Sequence, residues 1–356
     1  MPSFSLTLWA EAFFRNRDAF YRNLILEKIL GIIEVPQTTH RWRYMNMAIT
    51  AGMVKELREM TGVGMLDCKK ALQETDGDME KAVELLREKG LAASAKKAGR
   101  IASEGIVDVY LSDDNKFGAI VEVNSETDFV AKNQVFRDYV AAVAKQASAT
   151  TATTMEAFME EKWALDTQYT MQEALSQQVA VIGENLNIRR FEKFERTQSG
   201  ALVSYIHGGG RIGVLIELAC EKESELLTEL GKNVAMQVAA LNPKFIYEKD
   251  VPADFIAKET EILTLQAKND PKNASKPDNI IAKMIEGRLK KELKEMCLVE
   301  QPYVKDGDLT VQKYIDSVAK EVGAPISIAR CVRFETGEGL AKKEENFADE
   351  VAKAIQ

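Results

Sequence analysis

Residues 207–213, HGGGRIG, place Gly208, Gly210 and Gly213 in the spacing G-x-G-x-x-G, a pattern with which a backbone can cradle a phosphate. That chemistry needs a strand before the loop and a helix N-terminus after it, because the helix supplies free N–H groups and the positive end of its dipole. The loop runs instead into RIGVLIELAC, an apolar, β-branched run that reads as a strand. Other reactive groups are sparse. Two histidines (His40, His207) and four well-separated cysteines (Cys68, Cys220, Cys297, Cys331) with no CxxC pair predict neither a zinc site nor a disulfide framework, and suit a reducing cytoplasm. There is no P-loop, HExxH or nucleophile elbow. The expectation is a protein that is not an enzyme, with no cofactor and no metal of its own.

A second loop holds residue types suited to contact. After the strand AIVEVN comes SETDFVAKN, residues 125–133, where Phe129 follows Asp128 outside the strand alternation and just before a helix beginning near Asn133. Two readings stand side by side. Phe129 fills a core while Asp128 caps the helix, or an Asp-Phe tip is offered to a partner.

The elements that position both loops emerge from an internal repeat. A shift of 95 residues lays Gly105 on Gly200, Tyr110 on Tyr205, Gly118 on Gly213 and Glu122 on Glu217. VFRDYVAAVAKQ then falls on LGKNVAMQVAAL, so each copy reads strand, tight turn, strand, helix. The first copy has the polar turn SDDNKFG where the second has HGGGRIG, which makes the glycines hairpin glycines that tolerate positive φ. The second copy has CEKESELLTEL in place of the Phe129 loop, without an aromatic. A shift of 140 lays IGENLNIRRFEKFE on VGAPISIARCVRFE, so each copy ends in a further strand. The expected fold class is α+β, with two repeated antiparallel three-strand sheets covered by helices.

The two shifts differ by 45 residues, which requires an insertion in the second copy. PADFIAKETEILTLQAK and DNIIAKMIEGRLKKELKEM flank the polar NDPKNASKP, and Ile281, Ile285, Leu289 and Leu293 recur every four residues. These predict an antiparallel helical hairpin with arms about 25 Å long at about 1.5 Å per residue. Ahead of the repeats, TGVG and TDGD punctuate three short helices, with Asp76 or Asp78 as an N-cap and Gly90 closing the third. Val54, Leu57, Leu72, Val83 and Leu86 form their miniature core, and LAASAKKAGRIASEG reads as a small-residue basic linker.

Forty-seven basic against 55 acidic residues, net charge −8, argue against a surface built for phosphate backbones, so no direct nucleic-acid partner is expected. The first 46 residues have no apolar run long enough for a membrane span. They read as an extension upstream of a natural start at Met47, with an organelle-targeting segment as the alternative.

KELREMTGVGMLDCKKAL, EVNSETDFVAKN, IGENLNIRR and SYIHGGGRIGVL together resemble the elongation factor Ts family, the guanine-nucleotide exchange factors of elongation factor Tu. The resemblance runs from Met47 almost to the C-terminus, with four motifs in the family's order. It implies a UBA-like three-helix unit over 47–90, a linker over 91–104, core repeat one over 105–196 and core repeat two over 197–340. A coiled-coil hairpin is implied over 252–296 and a C-terminal helix over 341–356, while residues 1–46 have no counterpart. It also implies contacts with elongation factor Tu. Asp128 and Phe129, flanked by Thr127 and Val130, would push between two helices of the GTPase and disturb its magnesium site. Met65, Leu66 and Lys69 would dock beside the nucleotide, and Ile182, Gly183, His207 and Val304 would add further contacts.

Overall fold

The computed structural model describes residues 49–273 and 276–341. The extension over 1–46 and all but Ala341 of the expected C-terminal helix lie outside the described residues.

Three helices open the described chain: α1 (Ala51–Thr61), α2 (Met65–Glu74) and α3 (Met79–Lys97). Thr50 caps α1 by accepting from the Met53 N–H, Gly62 ends it at φ 68°, and Asp78 caps α3 by accepting from the Lys81 N–H. Val54, Leu57, Leu72 and Leu86 are buried between them together with Cys68, Ala71 and Ala82, while Val83 is only partly buried. Gly90 does not close α3. The helix continues for seven residues to Lys97, through the first half of the stretch expected as linker. Leu91, Ala92, Ala93 and Ala95 are strong helix formers that carry the helix past the glycine. Gly90 itself is buried against a later helix, where a methyl group added to it would lie 3.5 Å from the Ala180 Cβ.

The first sheet is an antiparallel meander of β1 (Glu104–Leu111), β2 (Phe117–Ser125) and β3 (Asn187–Glu195). Between β2 and β3 run α4 (Asp128–Ala131), α5 (Gln134–Ala149), α6 (Met155–Glu160) and α7 (Met171–Ile182). The second sheet joins β4 (Gly200–His207) and β5 (Ile212–Ala219) to a last strand, β8 (Ser327–Glu335). Within the second unit come α8 (Glu225–Leu241), α9 (Ala253–Asn269), α10 (Asp278–Met296), the short pair β6 (Pro302–Tyr303) and β7 (Asp306–Thr310), and α11 (Val311–Val322).

Both register shifts recur in the backbone. The bulge in β2 falls between Glu122 and Val123, and that in β5 between Glu217 and Leu218, each 95 residues on. Helix α7, capped by Thr170 and ended by Gly183, is matched 140 residues later by α11, capped by Thr310 and ended by Gly323. The capping and strand residues that repeat are those that set where elements begin and end.

Strand alternation decides the layering. Ile106, Ala119, Val121 and Val123 face α5 and α7, whereas Val107, Ile120 and Phe194 face Leu202, Leu215 and Phe334 of the other sheet. Val214, Ile216 and Leu218 pack against α8 and α11. The result is helix, sheet, sheet, helix, an α+β arrangement in which every buried Val, Leu, Ile or Phe contributes roughly 1.5–3 kcal/mol. The α9–α10 pair projects as a hairpin with its own contacts: Leu263, Ala267 and Ile285 outward, Val251, Leu293 and Cys297 at its root.

Candidate partner-binding site

The residues after β2 build a projecting tip. Beyond Ser125 the chain makes one turn of helix, α4, and Asn133 rather than Asp128 caps α5, by accepting from the Val135 N–H at 2.9 Å. The core reading of Phe129 is thereby overturned: its ring is 79% exposed, while the neighbouring Val130 sinks into the core at 8%. Successive residues of a helical turn point in different directions, so anchoring Val130 turns Phe129 outward. Asp128 is also exposed and bonds Lys132 Nζ at 2.7 Å; that bond holds its carboxyl below the usual aspartate range, and the ammonium lies 5.9 Å from the Phe129 ring.

The tip is held at both ends. At its first end the Glu126 and Thr127 N–H groups donate to Glu184 Oε2 at 3.1 and 3.0 Å, and the Thr127 hydroxyl donates to Oε1 at 2.7 Å. Glu184 directly follows Gly183, the αL residue at φ 87° that ends α7. At its second end Arg137 Nη1 donates to the Ala131 carbonyl at 3.1 Å and to the Gly209 carbonyl at 3.0 Å. The glycine hairpin is therefore tied to the tip.

That hairpin, between β4 and β5, has Gly208, Gly209 and Gly210 at positive φ. It is no phosphate cradle of its own. The Val107 N–H donates to the Gly210 carbonyl at 2.7 Å, and Gly213 lies so close to β1 that an added Cβ would sit 2.4 Å from Val107 Cγ1. His207 is exposed on the last residue of β4, with its Nδ1 3.0 Å from the Tyr205 hydroxyl. Tyr205, marked in the sequence only as a repeat position, is thus a neighbour of the site.

Thr127, Asp128, Phe129 and Val130 are thus gathered with Ile182 and Gly183 by Glu184, and with the His207 hairpin by Arg137. Of these, Thr127 and Val130 serve the tip's anchorage, Ile182 packs on the core, and Gly183 is exposed. Met65 (50% exposed) and Leu66 (74% exposed) lie on the first turn of α2 with exposed Lys69, away from the tip in sequence. Their unit reaches it through α7: Arg87 bonds Glu173, and a Cβ on Gly62 would touch Val181 at 3.4 Å. Val304 is exposed in the β6–β7 turn, its N–H held by Gln237 at 2.8 Å, and is not gathered with the others. Glu184, Arg137 and Tyr205 are the residues whose place at the site sequence reasoning missed. Glu184 left one signal, since Ala324 occupies its place in the second copy.

Among the described residues no group of three His, Cys, Asp or Glu side chains is placed to hold a metal, and no helix is long and apolar enough to cross a membrane. An exposed aromatic held on a braced loop, with further apolar side chains exposed on a separate helical unit, defines a protein that works through macromolecular contact. The family model for elongation factor Ts matches residues 126–338. The elongation factors Ts of Clostridium novyi (strain NT) and Clostridium botulinum (strain Eklund 17B / Type B) are 55% and 56% identical over 307 residues, 86% of this chain and 99% of each relative. That of Clostridium kluyveri (strain NBRC 12016) is 56% identical over 308 residues, again 86% of this chain and 99% of the relative. The chain belongs to the elongation factor Ts family, and so to the nucleotide-exchange factors that serve elongation factor Tu during translation elongation.

Proposed function

We propose that the chain binds elongation factor Tu·GDP in the cytoplasm and promotes GDP release by driving the Asp128–Phe129 tip between helices of the GTPase, disturbing its magnesium and phosphate site. The exposure of Phe129 carries this reading, because a large apolar ring left 79% in water contributes little to its own fold. Met65, Leu66 and Lys69 dock a UBA-like unit beside the nucleotide, with Ile182, Gly183, His207 and Val304 as further contacts. The α9–α10 hairpin acts as a coiled-coil arm, separable from core repeats over 105–196 and 197–340. The chain supplies binding free energy and no reacting group, so it is no enzyme and needs no cofactor.

Phe129→Ala is the direct test. Removal of a buried interface anchor costs about 2 kcal/mol, so stimulated release of fluorescent GDP at limiting factor should fall roughly 30-fold. The unfolding midpoint should stay within about a degree, since surface truncations usually cost under about 0.5 kcal/mol. Normal stimulated release by the folded variant would refute the wedge.

A further inference from the structure

We infer that Glu184 and Arg137 are positioning residues for nucleotide exchange: they hold the two roots of the Phe129 tip so that its ring meets the partner already ordered. The inference rests on the wedge reading and deepens it.

The chain's own repeat makes the comparison. In the first copy the tip Thr127–Val130 is present, and the residue after the αL glycine of α7 is Glu184, whose two oxygens accept three hydrogen bonds from Glu126 and Thr127. In the second copy Ser224 stands where Phe129 stands in the first, and it caps α8 by accepting from the Leu226 N–H. Ala324 stands at the place of Glu184, after the αL glycine of α11, and it can accept nothing with its side chain. There Lys222, at the place of Thr127, reaches the Val322 carbonyl at 3.4 Å instead. Tip and clasp occur together or not at all.

Arg137 braces the other root. Its two carbonyl contacts join the end of α4 to Gly209, so the tip and the His207 hairpin hold one spacing. Its charge also faces half-buried Asp108, whose carboxyl is raised by burial against the opposing pull of the Val109 N–H and Arg137. Without these bonds a four-residue helix has too few internal hydrogen bonds to stay formed, and the ordering cost falls on the insertion step.

The test follows release of fluorescent GDP from elongation factor Tu across a range of factor concentrations, separating the maximal rate from the half-saturating concentration. Glu184→Ala should lower the maximal rate about tenfold, the equivalent of one to two net hydrogen bonds, and move half-saturation far less. Glu184→Gln should keep most of the rate, because an amide oxygen can take the two N–H groups while its NH₂ meets the Thr127 hydroxyl oxygen. Arg137→Met should lower the maximal rate several-fold and Arg137→Lys should restore most of it. In a Phe129→Ala background, Glu184→Ala should add almost nothing, since it acts through the ring that is gone. Additive losses, equal losses in Gln and Ala variants, or full activity of both Glu184→Ala and Arg137→Met while Phe129→Ala is impaired would overturn the positioning roles alone. Normal release by Phe129→Ala would overturn the wedge instead. The unfolding midpoint of each variant identifies any loss due to misfolding, and the Gln and Lys variants then decide.

Discussion

At the residue scale, two glutamates at equivalent places show how context assigns opposite roles to one side chain. Glu122 and Glu217 each sit at the bulge of a central strand and are each buried. Burial alone would raise Glu122, but the Gly337 N–H, Asn124, Arg189 and Arg190 outweigh it and hold its carboxyl below the usual 4.5. Glu217 lacks that set. Ala329 stands where the first copy has Arg189, and Arg330 turns to Glu192 and the Lys193 carbonyl, so burial raises Glu217 against the weaker pull of Arg330 and Arg196. A lowered folded-state value stabilises above the ordinary glutamate range and loses that stabilisation as pH falls through and below it; a raised value penalises the fold at neutral pH. Glu122→Gln should therefore cost about 3 kcal/mol at pH 7, leaving two arginines without their carboxylate, and the deficit should shrink as denaturation is repeated toward pH 4. Glu217→Gln should raise the midpoint at pH 7, a gain that fades on acidification. Equal effects of the two substitutions at pH 7 would show that the donor sets do not govern these carboxylates. The 95-residue shift aligned the two glutamates and the 140-residue shift holds one difference, Arg189 against Ala329, but a further donor, the backbone N–H of Gly337 more than 200 residues away, left no signal in either.

At the scale of elements, boundaries set by local chemistry were legible and those set by packing were not. Asp78, Asn133 and the αL glycines act through hydrogen bonds to residues two to four positions away, so a short window contains the cause. Gly90 shows the converse. In a window of sequence it is a helix stop, and in the fold it sits mid-helix where α3 crosses α7. The crossing leaves space for a methyl group: the nearest atoms to an added Cβ are Ala180 Cβ at 3.5 Å and the Ser176 carbonyl oxygen at 3.8 Å, ordinary contact distances. Gly90→Ala should thus stabilise the protein by up to about 1 kcal/mol, the helix-propensity difference between the two residues. A thermal melt that moves downward would mean that α3 and α7 pack more closely than these distances state. Similarly, the run AIVEV read in sequence only as a strand; that both its faces are covered follows from tertiary structure, which supplies the Leu202, Leu215 and Phe334 side chains of the other sheet.

On the scale of the whole molecule, the proposed contacts lie on elements that can do different thermodynamic work. Leu66 and Met65 are presented by α2, a unit with its own core, whereas Phe129 is presented by a tip tied into the sheet frame through Glu184 and Arg137. An exchange factor must do more than bind. Its affinity for the nucleotide-free GTPase has to exceed its affinity for the GDP-bound form, and by linkage GDP is weakened by the same ratio. A contact made equally in both forms cannot supply that ratio, however tight it is. On the exchange reading, docking through Leu66 is shared between the forms and insertion of Phe129 is not. Leu66→Ala should then weaken binding to GDP-bound and nucleotide-free elongation factor Tu by similar factors, leaving their ratio within about twofold. Phe129→Ala should leave the GDP-bound affinity nearly unchanged and weaken the nucleotide-free complex roughly 30-fold, so that the ratio collapses by the same amount. Calorimetric titration of each variant against both forms reads all four affinities. If Phe129→Ala weakens both forms alike, its ring is a docking anchor, and the coupling must reside in another element of the frame.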